Sequence, residues 1–474
     1  MLFNTVTYAI FLPAVFLLYW ILPHKVRWPL LLVASYYFYM SWNASYVILI
    51  ASTTLVSYLS ALLMERTEDR KKKKLCVAGA LLVSLGILFV FKYYNFTVSL
   101  LESISEAIRI PRLDVLLPVG ISFYTFQTLS YVIDVYRGKV KAEHNLGVYA
   151  TFVSFFPQLV AGPIERTKNL LPQITSRKSF DYKSATYGIR LILWGLYKKM
   201  VIADNLAVFV DKVYGSLTDY SGSSLLITTI FFSLQIYCDF SGYSDIARGS
   251  AKLLGIDLME NFKSPYFSAS IREFWSRWHI SLSTWFRDYV YIPLGGNRHS
   301  KFRTMLNNLI TFLVSGLWHG ANLTYIIWGG VHGVGQVCEN TVSRKGRPRR
   351  RIFWAPLIFI FVTLAWVFFR APTLPDAFYV FRNLFSGFYN EPPLTYFEAG
   401  LNALSINTFD ALRKIVHVYI LPLVIYDYFS LRTDVSAWIG KRNPVIRYLY
   451  VIALIALILL YGYVGKSTFV YFQF

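Results

Sequence analysis

Along this chain the apolar residues neither alternate nor recur every third or fourth position; they run in long continuous blocks. Such blocks mark helices in lipid, because a hydrocarbon core about 30 Å thick takes about 20 residues of helix. Candidate spans fall near 5–22, 28–40, 46–63, 76–98, 115–133, 148–163, 186–210, 223–238, 303–318, 322–340, 352–370, 413–429 and 446–464. Several are short or interrupted and read as re-entrant, so the pattern predicts an all-α polytopic membrane protein with about 11–13 membrane helices. A transmembrane β-barrel would need short alternating segments instead. The run from Thr5 to Leu22 has no basic residues before it and no A-x-A site after it. It reads as a retained first span rather than a signal peptide. No internal repeat is seen, and the two halves differ in span spacing and charge, which weakens an inverted-repeat transporter.

The polar positions orient these spans. Arg66-Thr67-Glu68-Asp69-Arg70-Lys71-Lys72-Lys73-Lys74 and Arg344-Lys345-Gly346-Arg347-Pro348-Arg349-Arg350-Arg351 are short and strongly basic. The excess of Lys and Arg in cytoplasmic loops places 64–75 and 343–351 inside. Counting spans outward from them puts both the N- and C-termini on the extracytoplasmic side. The stretch 371–412, with Asp376, Glu391, Glu398 and Asp410, then falls outside, and Arg432, Lys441, Arg442 and Arg447 fall inside. The two halves agree without adjustment.

Composition sharpens the class. Of 474 residues only 15% are charged, against roughly 25% for a soluble domain. That excludes a cytosolic enzyme, a disordered chain and a secreted disulfide scaffold. The net charge of +21 would suggest nucleic acid on a soluble protein; here it belongs to the cytoplasmic loops, and no nucleic-acid partner is expected. The same loops could also touch anionic membrane lipid. Cys76, Cys238 and Cys338 are far apart, with no CxxC or Cys/His spacing, so neither a metal nor a disulfide framework is expected.

Ionisable residues at membrane depth are costly and therefore mark function by default. The densest stretch runs from Ile271 to Tyr289. Drawn as one helix, it puts Trp275, Trp278, His279, Leu282, Trp285, Phe286 and Tyr289 on one face, with Glu273 and Arg277 at i,i+4 spacing. The pattern predicts an amphipathic or re-entrant helix, which an interfacial helix with a snorkelling imidazole would also explain. The second feature is Leu317-Trp318-His319-Gly320-Ala321-Asn322, followed by Trp328-Gly329-Gly330-Val331-His332-Gly333. An imidazole there can act as a base near neutral pH, and Gly316 and Gly320 would leave room for a substrate to approach it. His332 lies 13 residues on, about 20 Å along an unbroken helix, which would keep it off the same reacting atom unless the chain breaks at Gly329-Gly330. A structural histidine packed on tryptophan fits the motif as well. Asp245 and Arg248 lie three apart, and Pro157 with Gly162-Pro163 predicts a bent segment lining a cavity. An ion pair or a plain kink would account for these too. Gly462-Tyr463-Val464-Gly465-Lys466-Ser467 is too short for a P-loop, and GxSxG and HExxH are absent.

Taken together these residues resemble the membrane-bound O-acyltransferase family, in particular its bacterial branch that O-acetylates alginate and other exported polysaccharides. The likeness rests on Phe155-Phe156-Pro157-Gln158 with Gly162-Pro163-Ile164-Glu165-Arg166, on Asp239-Phe240-Ser241-Gly242-Tyr243-Ser244-Asp245, on Phe274 to Ser283, and on Trp318-His319-Gly320-Ala321-Asn322. It implies one integral-membrane domain over 1–474, with a catalytic core over 115–342 and C-terminal helices over 352–474. The helices would surround a tunnel with a cytoplasmic acyl donor on one side and the acceptor on the other. His319 matches the family's invariant histidine and His279 its second catalytic position. Trp278, Trp285, Trp318, Asn322, Ser283, Asp239, Tyr243 and Arg277 would line the tunnel or touch substrate. The implied chemistry is metal-free transfer from a thioester, acetyl-CoA or another acyl thioester, with no bound cofactor. The implied place is the bacterial cytoplasmic (inner) membrane. The implied partner is an extracytoplasmic acyltransferase with a Ser-His-Asp (SGNH-type) site that hands the group to the polysaccharide. Two other readings share some features: a D-alanyl transferase of the teichoic-acid pathway using a carrier-protein thioester, and an ion or small-molecule transporter.

Overall fold

Helix is the only regular structure among the described residues of the computed structural model, as a backbone in lipid requires. Those residues are 1–105, 109–160, 162–342, 351–390, 392–406, 409–465 and 469–470. The basic residues 344–350, Ala161 of the bent segment, Glu391, Lys466-Ser467 and the ending from Tyr471 to Phe474 lie outside them. Among the described residues five helices are long and apolar enough to cross a membrane: Ala44–Glu65, Arg70–Ile104, Ser223–Leu253, Arg351–Arg370 and Pro444–Tyr461. Val6–Ile21 is apolar but shorter.

Other expected spans are interrupted. The run near 186–210 becomes Tyr182–Leu196, a wider π turn over Tyr197–Ala203, and Asp204–Gly215. The run near 413–429 contains another π turn at Ile415–Ile420, and further ones occupy Phe89–Tyr93 and Arg287–Tyr291. All four carry ionisable residues: Lys198 and Lys199, His417, Lys92, and Arg287 with Asp288. Bulges of this kind open the helix where a side chain must reach a partner, and they are common at functional sites.

The chain forms two compact units. The first comprises Met1–Ile192 and Tyr243–Glu260. Its centre is Ile121–Tyr136, buried almost all round, where Gln127 donates to the Phe152 carbonyl at 2.7 Å and Gln158 donates to Gln127 at 2.9 Å. The expected bend is present: after Ser154 comes a four-residue helix, Phe156–Leu159, and by Gly162 the chain has left it. A Cβ at Gly162 would lie 2.4 Å from the Gln158 Cα, so only glycine allows this turn. Glu165 beyond it is fully buried, accepting from Asn169 at 2.6 Å and from the Met259 N–H. Asp245 and Arg248 pair as their spacing predicts, at 3.4 Å.

The second unit comprises Leu193–Gly242 and Asn261–Phe474. Its polar heart is Lys199, whose ammonium sits 2.8 Å from Asp204 and 2.6 Å from Asp239, all three nearly inaccessible. Beside it Lys198 donates to Ser241 at 2.9 Å. The rest of its interior is dense with aromatic rings, and these surround the histidines singled out above.

Candidate active site

Ile271 to Tyr289 is not one helix. Ser270 caps a short helix, Ile271–Arg277, by accepting from the Glu273 N–H at 2.9 Å. Trp278 is extended, and His279 takes the left-handed conformation at φ 44 and ψ 52 before Ile280–Phe286 begins. For a non-glycine residue that conformation costs about 1–2 kcal/mol. It persists because Asn261 holds the start of the second helix. The Asn261 carbonyl accepts from Ile280 at 3.0 Å, and its Oδ1 accepts from Ser281 at 3.2 Å. The Lys263 N–H donates to the Arg277 carbonyl at 3.0 Å, locking the other flank. Residues backed by such tertiary bonds can store strain at a site. The i,i+4 pair is present, Arg277 to Glu273 at 3.0 Å, with Arg351 reaching the same carboxylate at 2.8 Å.

His319 ends the helix Lys301–His319, and the chain reverses at 320–322 into Leu323–Val342. The helix therefore breaks ahead of Gly329-Gly330, not at it, and the 20 Å separation drawn for one straight helix does not apply. The two helices touch backbone to backbone. A Cβ at Gly316 would sit 2.3 Å from the Tyr325 carbonyl oxygen, and one at Gly329 2.3 Å from that of Phe312. Small residues at such crossings are how helices in lipid gain packing energy. Gly316 and Gly320 thus make room for Tyr325, by its carbonyl and its ring respectively, and not for a substrate.

This folding brings the two histidines together. Their ring centroids are 6.2 Å apart, at an angle of 55°. One oxygen atom hydrogen-bonded on each side at about 2.8 Å spans such a gap. Trp318 lies 6.0 Å from His279 and 5.0 Å from His319. Phe240 stands edge-on to His279 at 4.6 Å, and Trp328 and Phe369 flank His319 at 5.0 and 5.6 Å. His279 is 0% and His319 3% exposed. Apolar walls of this kind exclude water from what they enclose.

A cavity of about 1410 Å³ opens beside them, lined among others by Arg272, Trp275, Ser283, Arg287, Lys301 and Ser315. Ser283 and Ser315 each lie four residues, one helical turn, from His279 and His319. Glu339, Asn340 and Thr341 form part of its wall, just before the basic stretch that begins at Arg344. Among the described residues no group of three His, Cys, Asp or Glu side chains is gathered that could hold a metal ion.

The remaining candidates fall in different places. Trp285 packs on Phe286 and Tyr289, and Trp278 is enclosed by Tyr237, Phe262, Phe274 and Trp366. Asn322 holds the hairpin turn, donating to the Pro372 carbonyl and accepting from Thr324. Asp239 accepts from the Val470 N–H at 2.7 Å besides pairing with Lys199. Arg277 also donates to the Lys263 carbonyl. Tyr243 belongs to the first unit, stacked on Phe3 at 4.2 Å. Sequence reasoning missed Asn261, Trp328 and Phe369. Trp328 stood in a quoted motif; Asn261 and Phe369 carry no local signal.

The helical membrane fold thus holds two buried imidazoles beside a large cavity. The sequence profile described as MBOAT, membrane-bound O-acyltransferase family, matches residues 139–371. The probable alginate O-acetylase AlgI of Pseudomonas aeruginosa is 42% identical over 384 residues, covering 80% of this chain and 73% of that one. The peptidoglycan O-acetyltransferase of Helicobacter pylori is 36% identical over 422 residues, covering 81% and 80%. The teichoic acid D-alanyltransferase of Bacillus subtilis is 30% identical over 279 residues, covering 56% and 68%. This chain belongs to the membrane-bound O-acyltransferase family. It is a multi-pass membrane acyltransferase.

Proposed function

We propose that this enzyme takes an acetyl group from a cytoplasmic thioester, acetyl-CoA, and passes it across the membrane for O-acetylation of an exported or cell-wall polysaccharide. The single observation that carries this reading is the meeting of His279 and His319 one turn from the floor of the cavity. His319 acts as general base, taking the proton of an acceptor hydroxyl as its oxygen attacks the thioester carbonyl carbon. The carbon–sulfur bond then breaks, and the departing thiolate receives the proton from the His319 imidazolium. His279 orients the acceptor and donates to the oxyanion that develops on the carbonyl oxygen. Trp318, Trp328, Phe240 and Phe369 exclude water, favouring transfer over hydrolysis.

Arg272, Arg287 and Lys301 in the cavity wall suit the phosphates of coenzyme A. The wall residues next to the basic 343–351 stretch support cytoplasmic access for that donor. The acceptor side then faces out, where a Ser-His-Asp acyltransferase partner would receive the group and pass it to the polysaccharide. On this reading the protein lies in a bacterial cytoplasmic membrane with both termini extracytoplasmic. Relatives named as acetylases of alginate and of peptidoglycan cover more of the chain than the D-alanyltransferase, which favours acetate as the cargo.

The test combines mass spectrometry of cell-surface glycans with acetyl-CoA turnover by the purified protein. His319→Ala and His279→Ala are expected to fold and to lose O-acetylation. A His319→Ala protein that still acetylates overturns the mechanism.

A further inference from the structure

The third histidine of this region, His332, is fully buried and makes no part of the mechanism above. Its Nδ1 accepts a hydrogen bond from the indole Nε1 of Trp275 at 3.3 Å. An imidazole that accepts at Nδ1 carries its single ring proton on Nε2 and is neutral. That Nε2 has no hydrogen-bond partner among the described residues. A buried N–H left in this way costs free energy that an apolar ring would not incur. What the histidine supplies and a phenyl ring cannot is the acceptor for Trp275.

The two ends of this bond differ in kind. His332 lies between Gly329 and Gly333, where Leu323–Val342 approaches its neighbour so closely that added Cβ atoms would lie 2.3 Å from the Phe312 carbonyl and 3.0 Å from Leu309. Its backbone is therefore fixed. Trp275, by contrast, comes from the short helix Ile271–Arg277 and lines the cavity. The ring of Trp328 bridges the site, edge-on to His319 at 5.0 Å and to His332 at 5.1 Å, and it also packs on Trp275 at 5.7 Å. This hydrogen bond thus ties the Trp275 side chain to the hairpin that carries His319, while Ile271 and Arg272 of the same short helix bond Glu339 and Asn340 further along that hairpin.

We propose that His332 is a positioning residue: by holding the Trp275 indole it shapes the inner wall on which the acyl donor seats. This rests on the reading of the cavity as the donor's site. The proposal makes no use of proton transfer by His332, whose Nδ1 faces a donor and not a reacting group. Its effect is exerted on donor binding, with the transfer step changed less.

The experiment measures acetyl-CoA binding and turnover by the purified full-length protein for His332→Phe, Trp275→Phe, the double variant and His332→Gln. Loss of one hydrogen bond is expected to raise the KM for acetyl-CoA about tenfold in each single variant, with kcat changed less. Because both changes remove the same bond, the double variant should be no worse than either single one. His332→Gln keeps an acceptor and should recover most of the affinity. If His332→Phe does not fold, Trp275→Phe, which keeps an aromatic ring, and His332→Gln carry the same comparison. An unchanged KM in Trp275→Phe, or effects of the two changes that multiply, overturns the proposal while leaving the His319 mechanism intact. Failure of the wild-type protein to bind acetyl-CoA overturns the donor reading and this inference together.

Discussion

Replacing Asn261 by alanine should uncouple the position of His279 from the stability of the fold. The left-handed backbone at His279 costs about 1–2 kcal/mol. Two hydrogen bonds from Asn261 oppose that cost, one from its carbonyl and one from its side chain. Each contributes about 1 kcal/mol. Asn261→Ala leaves the carbonyl bond and removes the other, so about 1 kcal/mol no longer offsets the strain. The backbone at 278–279 can then relax toward an ordinary helical or extended state, carrying the imidazole away from His319. Since 1.36 kcal/mol is a factor of ten, a loss of about 1 kcal/mol lowers the ratio of in-register to out-of-register molecules about fivefold, and the in-register fraction should fall by up to about fivefold. The assay is acetyl transfer per folded molecule in detergent, with the folded fraction taken from a thermal scan. The kcat should drop by that factor while the KM for the donor stays put, because neither Asn261 nor His279 lines the cavity. Wild-type kcat per folded Asn261→Ala molecule would refute the claim that this side chain holds His279 in place.

Two further substitutions probe the packing that carries the site. Gly316→Ala should destabilise the protein by about 1–3 kcal/mol and reduce turnover, since its Cβ meets the Tyr325 carbonyl at 2.3 Å. Gly330→Ala, whose Cβ would lie 3.4 Å from Leu313, should be neutral or raise the melting temperature; equal effects of the two would show that close helix contact is not what Gly316 provides. Lys199→Met leaves Asp204 and Asp239 buried without their cation and should cost about 3–5 kcal/mol. Adding Asp204→Asn and Asp239→Asn should restore a folded protein in a detergent melt, and a triple variant as unstable as Lys199→Met would show that the ion pairs are not the cause.

The apolar blocks disclosed the helical membrane class, and the polar groups set within them disclosed the two histidines. What local pattern could not disclose was how the chain brings those histidines together. Between Trp278 and His279 there is neither glycine nor proline, so every local rule continues the helix. The break is imposed by Asn261, 18 residues earlier, through bonds that exist only once the chain has folded. The reversal after His319 did have a signal, Gly320 followed by Asn322, but the glycines at 316, 329 and 333 were legible only as small residues. That they let two backbones touch depends on the partner helix. Asp239 entered the sequence reading only through the family resemblance, as a tunnel or substrate residue; its pairing with Lys199 of a π turn is something apolar periodicity does not reveal.

The buried charges of the second unit also bear on how such a chain enters a bilayer. A lysine at the centre of a membrane helix costs about 2.5–3.5 kcal/mol on insertion. The segment from Tyr182 to Gly215 carries two near its middle, Lys198 and Lys199, with Asp204 of its own beside Lys199. The missing carboxylate, Asp239, and the hydroxyl of Ser241 that receives Lys198 both arrive on the next helix, Ser223–Leu253. A Cβ at Gly242 would lie 2.7 Å from the Gly195 carbonyl, so the two helices lie against each other at that level. The lysines of the first segment therefore find their full set of partners only when the second helix is beside it. The order in which the chain is made thus separates these lysines from Asp239 and Ser241, and the charge at depth is balanced only once both helices are in place.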